Sequence, residues 1–206
     1  MTHYYGEPPI IISNNISVSP TEMCFVQYLP IKMSYFEQLG DDVKIPNNLL
    51  WTQPLIDLIH KDILQNHYVY LTVKHIYVSP NNMGNRPGWH SDGFRTDDIN
   101  YIWTDKFPTE FCIQHFNIDN DCQKSMIQMQ EQVNLNNIKT YGENSLVKLN
   151  QFNIHRTPEI GCGYRTFIKI SLSKNQYNLQ GNAHNYLFDY QWHMKQRMDE
   201  RNHPHQ

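Results

Sequence analysis

Residues 86–94 read RPGWHSDGF, and they place His90 and Asp92 two positions apart just after a loop containing Gly84, Pro87 and Gly88. An imidazole and a carboxylate can share a metal ion at that spacing if the backbone is extended, because residues i and i+2 of a strand face the same way. The spacing alone is a weak signal, since a chain with 11 histidines meets it by accident. His60-Lys61-Asp62 repeats it inside a segment that reads as a helix. There, residues two apart point to different sides and cannot share a small ion. His90 and Asp92 lie in a strand context, which favours the second pair.

Two ligands make a poor metal site, so a third is needed. The candidate lies in NIHRTPEIGCGYRTFIKISLS, residues 153–173, where His155 precedes Arg165 by ten positions across Pro158, Gly161 and Gly163. A chain folded back around Ile160 makes His155 and Arg165 cross-strand neighbours on one face. Alternation then points Arg165 and Phe167 inward and leaves Ile168, Ile170 and Leu172 on an apolar outer face. Two histidines and one carboxylate with open positions are the facial triad of non-haem Fe(II) oxygenases. Charge counting gives Arg165 a role. Fe(II) carries two positive charges and Asp92 cancels one. A chelating 2-oxoglutarate dianion then leaves one negative charge at its far carboxylate. A guanidinium fork suits that group.

The elements around these residues must supply a scaffold of strands. Residues 52–66 read as a helix, with Thr52 as cap, Pro54 in the first turn and Leu55, Leu58, Ile59 and Ile63 as an apolar stripe. Strands are expected at 68–80, 89–93, 99–104, 109–116, 145–149, 150–157 and 164–173. A short helix is expected at 121–133, and a polar, aromatic tail from Asn175 ends in a helix at 186–201. Little βαβ alternation is visible, which favours an antiparallel sandwich or barrel. The 206 residues read as a single domain, 1–206, with its core at about 68–173 and a helical tail at about 175–206.

Composition narrows the function classes. The 39% apolar share and 13% aromatic content are those of a globular chain, and a net charge of -3 without a basic block argues against duplex nucleic acid as partner. No apolar run is long enough to span a bilayer. The N-terminus lacks the pattern of a signal peptide, and the four cysteines show no CxxC pair. They read as reduced core thiols of a cytoplasmic protein. Abundant asparagine hints at an AT-rich, phage-like genome. Oligomeric state is not legible.

WHSDG at 89–93, SLVKLNQFNIHRTP at 145–158 and GYRTFIKIS at 163–171 together resemble the Fe(II)/2-oxoglutarate-dependent dioxygenase superfamily, in its prolyl-hydroxylase-like branch. The resemblance covers roughly residues 68–173. It implies a mainly β fold with flanking helices, a double-stranded β-helix (jelly-roll, cupin-like barrel), and a hydroxylase that uses Fe(II), 2-oxoglutarate and O2 and releases succinate and CO2. His90, Asp92 and His155 match the metal ligands, and Arg165 matches the basic anchor of the co-substrate, with Lys169 as its rival. The family adds a hydroxyl partner, for which Tyr77 and Tyr101 both qualify. Related halogenases lack the acid, so Asp92 favours hydroxylation. Trp89, Phe94 and Arg86 flank the motif and are candidates for substrate contact. The loop 81–88 and the tail are candidate lids. The substrate class stays open between a protein side chain, a nucleobase or nucleotide, and a small metabolite. The alternative is a non-catalytic, cupin-like binding module.

Overall fold

The structure, a computed structural model, describes residues 3–34 and 42–197. It is mainly β. Among the described residues, nine strands form two antiparallel sheets: β1 (Ile10–Ser13), β2 (Cys24–Lys32), β3 (Tyr68–Val78), β4 (Ile99–Thr104), β5 (Glu110–Cys112), β6 (Ile138–Thr140), β7 (Leu146–Leu149), β8 (His155–Arg156) and β9 (Gly163–Ser173). The larger sheet runs β1-β7-β4-β9-β3-β2, and the smaller runs β6-β5-β8. An isolated antiparallel bridge from His90 to His155 extends the smaller sheet at its β8 edge. The helices are α1 (Gln53–Ile56), α2 (Lys61–Gln65) and α3 (Cys122–Gln132), with a 3-10 turn at Asn47–Thr52.

Period-2 alternation decides what each face of the larger sheet meets. On β9, Ile168, Ile170 and Leu172 are buried in the main core, with Val69, Leu71 and Val73 of β3, Tyr101 and Trp103 of β4, and Leu55, Ile56 and Ile59 from the helical segment. The intervening residues Phe167 and Lys169 of β9, Thr72 and Lys74 of β3, and Asn100 and Ile102 of β4 line a cavity on the opposite face. The apolar face expected to lie outward is therefore the one the N-terminal helices cover. A second cluster backs the smaller sheet, where Cys112 and Ile154 pack with Trp89, Phe94, Phe116 and Met129 of α3. Asp121 caps α3 by accepting from the backbone N–H groups of Gln123 and Lys124.

Several expectations are corrected. The helix at 52–66 is broken into α1 and α2, because His60 takes an extended ψ of 130° and becomes the cap residue of α2. Thr52 does not cap; its hydroxyl donates to the Leu49 carbonyl. The break turns Leu58 outward, 41% exposed, and buries Ile56 in its place. It also brings His60 Nδ1 within 3.3 Å of Asp62 on the surface, a contact that an unbroken helix forbids. The strand expected at 89–93 is reduced to the single His90 bridge, and 150–157 to two residues, because turns intervene at both places. β1, β2 and β6 were not anticipated. The helix expected at 186–201 is absent through residue 197, and its remainder lies outside the described residues. Of the four cysteines, Cys112 is buried as expected, whereas Cys162, in the loop before β9, is exposed.

The broken helix has a measurable consequence. Leu55→Ala is expected to lower unfolding stability by about 2–5 kcal/mol, because the site is closed on all sides. Leu58→Ala is expected to stay within about 0.5 kcal/mol of the parent. Chemical denaturation of both variants checks this; equal losses would indicate one continuous helix.

Candidate metal centre

Two backbone hydrogen bonds join the first and last members of the site. The His90 N–H donates to the His155 carbonyl at 2.9 Å, and the His155 N–H returns to the His90 carbonyl at 2.8 Å. This closely paired exchange places the two imidazoles side by side, with ring centroids 4.6 Å apart. The chain then turns at Gly93, whose φ of 67° favours glycine. Asp92 comes to lie 3.8 Å from His155 Nε2 through its Oδ2. One ligand atom from each of His90, Asp92 and His155 lies within 4.8 Å of the others.

The histidine tautomers follow from their partners. His90 Nδ1 lies 2.9 Å from the Gly88 carbonyl, and His155 Nδ1 lies 2.9 Å from the Asn153 carbonyl. A carbonyl oxygen only accepts, so each Nδ1 carries the proton and each Nε2 presents a lone pair. Such backbone carbonyl partners are the ones that fix metal-binding imidazoles. Burial, then the neighbouring His155, pull His90 down to about 4, although Asp92 and the Gly88 carbonyl oppose the shift. Burial lowers His155 as well, against Asp92 and the Asn153 carbonyl. Both rings are thus neutral at physiological pH, the form that binds a metal.

Asp92 is held as a carboxylate. Burial disfavours its charge, but Lys169, His155 and His90 together outweigh burial and keep it below the ordinary range. Lys169 Nζ donates to Asp92 Oδ2 at 3.1 Å and to the Tyr28 hydroxyl at 3.0 Å. Burial alone would lower Lys169; Asp92 and the Tyr28 hydroxyl reverse that and raise it.

The cavity in front of these groups measures about 120 Å³ and is bordered by His90, Asp92, His155, Lys169, Lys74, Arg86, Tyr28 and Phe167. That is room for a small organic molecule rather than one water. The remaining sequence candidates divide. Lys169 and Arg86 line the cavity. Arg165 does not: its guanidinium donates to the Lys106 and Phe107 carbonyls beside Phe167. The expected hairpin is also absent, since His155 pairs with Phe111 in the smaller sheet and Arg165 pairs with Ile76 in the larger one. Tyr101 faces the opposite side of its sheet, within the main core. Tyr77 is half exposed and meets Tyr164 edge-on. Trp89 and Phe94 are buried behind the smaller sheet, with the Arg156 guanidinium 4.7 Å above the Trp89 ring.

Tyr28 and Lys74 are the charged or hydroxyl-bearing cavity residues that matter most among those without a sequence signal. Tyr28 sits at a bulge in β2 with a left-handed φ of 48° and is nonetheless buried. Its N–H donates to Thr72 Oγ1, and its ring meets Tyr177 edge-on. A buried aromatic residue in that backbone region carries strain of about 1–3 kcal/mol, and the bulge aims its hydroxyl at Lys169. Lys74 is the second. Only its position on the same face as Thr72 could have marked it, and that required the strand's orientation.

Comparison with family models, with curated proteins and with solved structures returns no match. Among the described residues, no helix is long and apolar enough to cross a membrane.

The neutral imidazoles, His155 buried and His90 partly buried, set a pH dependence. An unfolded histidine titrates near 6.5, above His90 in the fold. Between about 6.5 and about 4 the unfolded chain therefore binds more protons, and stability falls as pH falls through that window. Denaturant midpoints of the metal-free protein are expected to show this slope, and His90→Asn is expected to flatten it. An unchanged slope in the variant would contradict a neutral ring at His90.

Proposed function

We propose that the chain is an Fe(II)- and 2-oxoglutarate-dependent oxygenase that hydroxylates an organic substrate. The observation that carries this reading is the donor set. Two imidazoles with their Nε2 lone pairs free and one ionised carboxylate converge at one end of a cavity. Two nitrogens and one oxygen donor with open space beside them suit non-haem iron better than a closed structural zinc site.

The strand order supports a jelly-roll scaffold. When the His90 segment is counted as the second of eight core strands and β3 as the first, the sheets read 1-8-3-6 and 2-7-4-5. That interleaving is what two Greek keys produce. β1 and β2 then extend the larger sheet at its two edges.

His90, Asp92 and His155 would hold the iron, which supplies oxygen activation and the redox change. The protein's own groups do the rest. The Gly88 and Asn153 carbonyls keep both imidazoles in the binding tautomer. Lys169 orients Asp92 and, with the Tyr28 hydroxyl, would offer a cation and a hydroxyl to a 2-oxoglutarate carboxylate. Lys169 replaces Arg165 in this role because Arg165 is committed to two backbone carbonyls outside the cavity. Phe167 and Ile102 give the cavity an apolar side that limits water.

Two measurements test the reading. Anaerobic protein with Fe(II) and 2-oxoglutarate is expected to develop the weak visible absorption of the chelate, and in air to form succinate. His90→Ala, Asp92→Ala and His155→Ala are expected to lose both. A parent chain that binds no 2-oxoglutarate and forms no succinate would be a binding module instead.

Lys169→Met separates the anchors. It leaves Asp92 without its ammonium partner, so the metal-free protein is expected to lose about 3–5 kcal/mol of stability. Its 2-oxoglutarate requirement is expected to rise more than that of Arg165→Met. The reverse order would return the anchor to Arg165.

A further inference from the structure

Lys74 is a cation in the cavity wall whose partners are all neutral. Its ammonium donates to the Gly84 carbonyl at 2.6 Å and to Asn85 Oδ1 at 2.7 Å, and it lies 5.1 Å above the Phe25 ring. The ion pairs among the described residues do not include it. Two of its three N–H donors are used, so one remains. Burial, then repulsion from Lys169 and Arg165, pull it down to about 8 against a weaker attraction from Asp92, which still leaves it charged at neutral pH. A partly buried cation whose direct partners are all neutral is costly unless a ligand adds an opposing charge beside it.

The neighbouring charges are otherwise balanced. Arg156 is paired with Glu110 at 2.6 Å, and Asp105 offsets Arg165. On the proposed function, a divalent ion, Asp92, Lys169 and a 2-oxoglutarate dianion sum to zero. Lys74 stands outside that sum. In the sheet register Lys74 lies opposite Phe167, while Lys169 lies opposite Thr72, so the two ammonium groups belong to different rungs of the cavity floor. Arg86, at the exposed rim of the same cavity, adds a second positive group, and its guanidinium also donates to Met126 Sδ at 3.0 Å.

We propose that Lys74, with Arg86 at the rim, forms a subsite for an oxyanion group, phosphate or carboxylate, on the primary substrate. The substrate is then an anionic metabolite, a nucleotide or an acidic side chain rather than a neutral or cationic molecule. This rests on the oxygenase reading for the word substrate, but the oxyanion site itself does not.

Inorganic phosphate is the probe. Calorimetric titration at fixed ionic strength, against a chloride control, is expected to show saturable 1:1 binding to the folded chain. Lys74→Met and Lys74→Gln are expected to weaken it by about ten- to a hundredfold, the loss of one charge-assisted bond, and Lys74→Arg to retain it. Arg86→Gln is expected to weaken it less, because that group is exposed. Saturating 2-oxoglutarate with Mn(II) should leave phosphate binding in place. Absent binding, or binding unchanged in both Lys74→Met and Lys74→Gln, overturns the site. Competition between phosphate and 2-oxoglutarate overturns the assignment to the primary substrate and gives Lys74 to the co-substrate. Phosphate binding without any 2-oxoglutarate binding or succinate formation would instead leave the site standing and refute the oxygenase.

Discussion

The paired backbone exchange between His90 and His155 is the constraint on which the site depends. It joins segments far apart in sequence and fixes two imidazoles at one rung of the smaller sheet. Neither segment is a strand of useful length. β8 has two residues, and His90 contributes a single bridge. Their placement is therefore imposed from outside, by β5 on one side and by the packing of Trp89, Phe94 and Ile154 behind them. The cluster under α3 contains Trp89 and Ile154, the residues directly before His90 and His155, and so helps to fix both backbones.

Charge explains why the opposite wall looks as it does. An ionised carboxylate beside two neutral imidazoles requires a cation, and Lys169 reaches Asp92 across the cavity from the larger sheet. The sheet that carries Lys169 is apolar on its other face, where Ile168, Ile170 and Leu172 anchor it to the main core. One strand thus performs two tasks through alternation alone: even positions hold the fold and odd positions furnish the site. Tyr28 is ordered against the same ammonium at the expense of a left-handed backbone, a strain that the surrounding Tyr70 and Tyr177 packing sustains.

Much of this was legible in the sequence, for identifiable reasons. His90 and Asp92 were recognisable from their types and spacing, although the strand expected to align them shrinks to one bridge at His90 and a turn brings Asp92 alongside; β3, β4, α3 and β9 were recognisable from their composition and periodicity. The two faces of β9 were also legible. The partner of β9 was not. A hairpin from His155 to Arg165 satisfies local turn chemistry, but sheet pairing is decided by distant strands, and β9 inserts between β3 and β4 instead. Tyr101 was misplaced for a related reason: β4 has aromatic residues on the core face and Asn100 and Ile102 on the cavity face, and its orientation follows from its neighbours. β2 escaped notice because its bulges and Pro30 interrupt any regular alternation.

The proposed oxygenase depends on His90 and His155 binding one divalent metal through imidazole nitrogens, with Asp92 binding it through a carboxylate oxygen. X-ray absorption at the iron edge, on protein loaded anaerobically with one equivalent of Fe(II), tests this most directly. The expected spectrum shows a nitrogen and oxygen shell with the outer scattering of two imidazole rings, reduced to one ring in His155→Ala. A spectrum without imidazole scattering, or one that His155→Ala leaves unchanged, would contradict it.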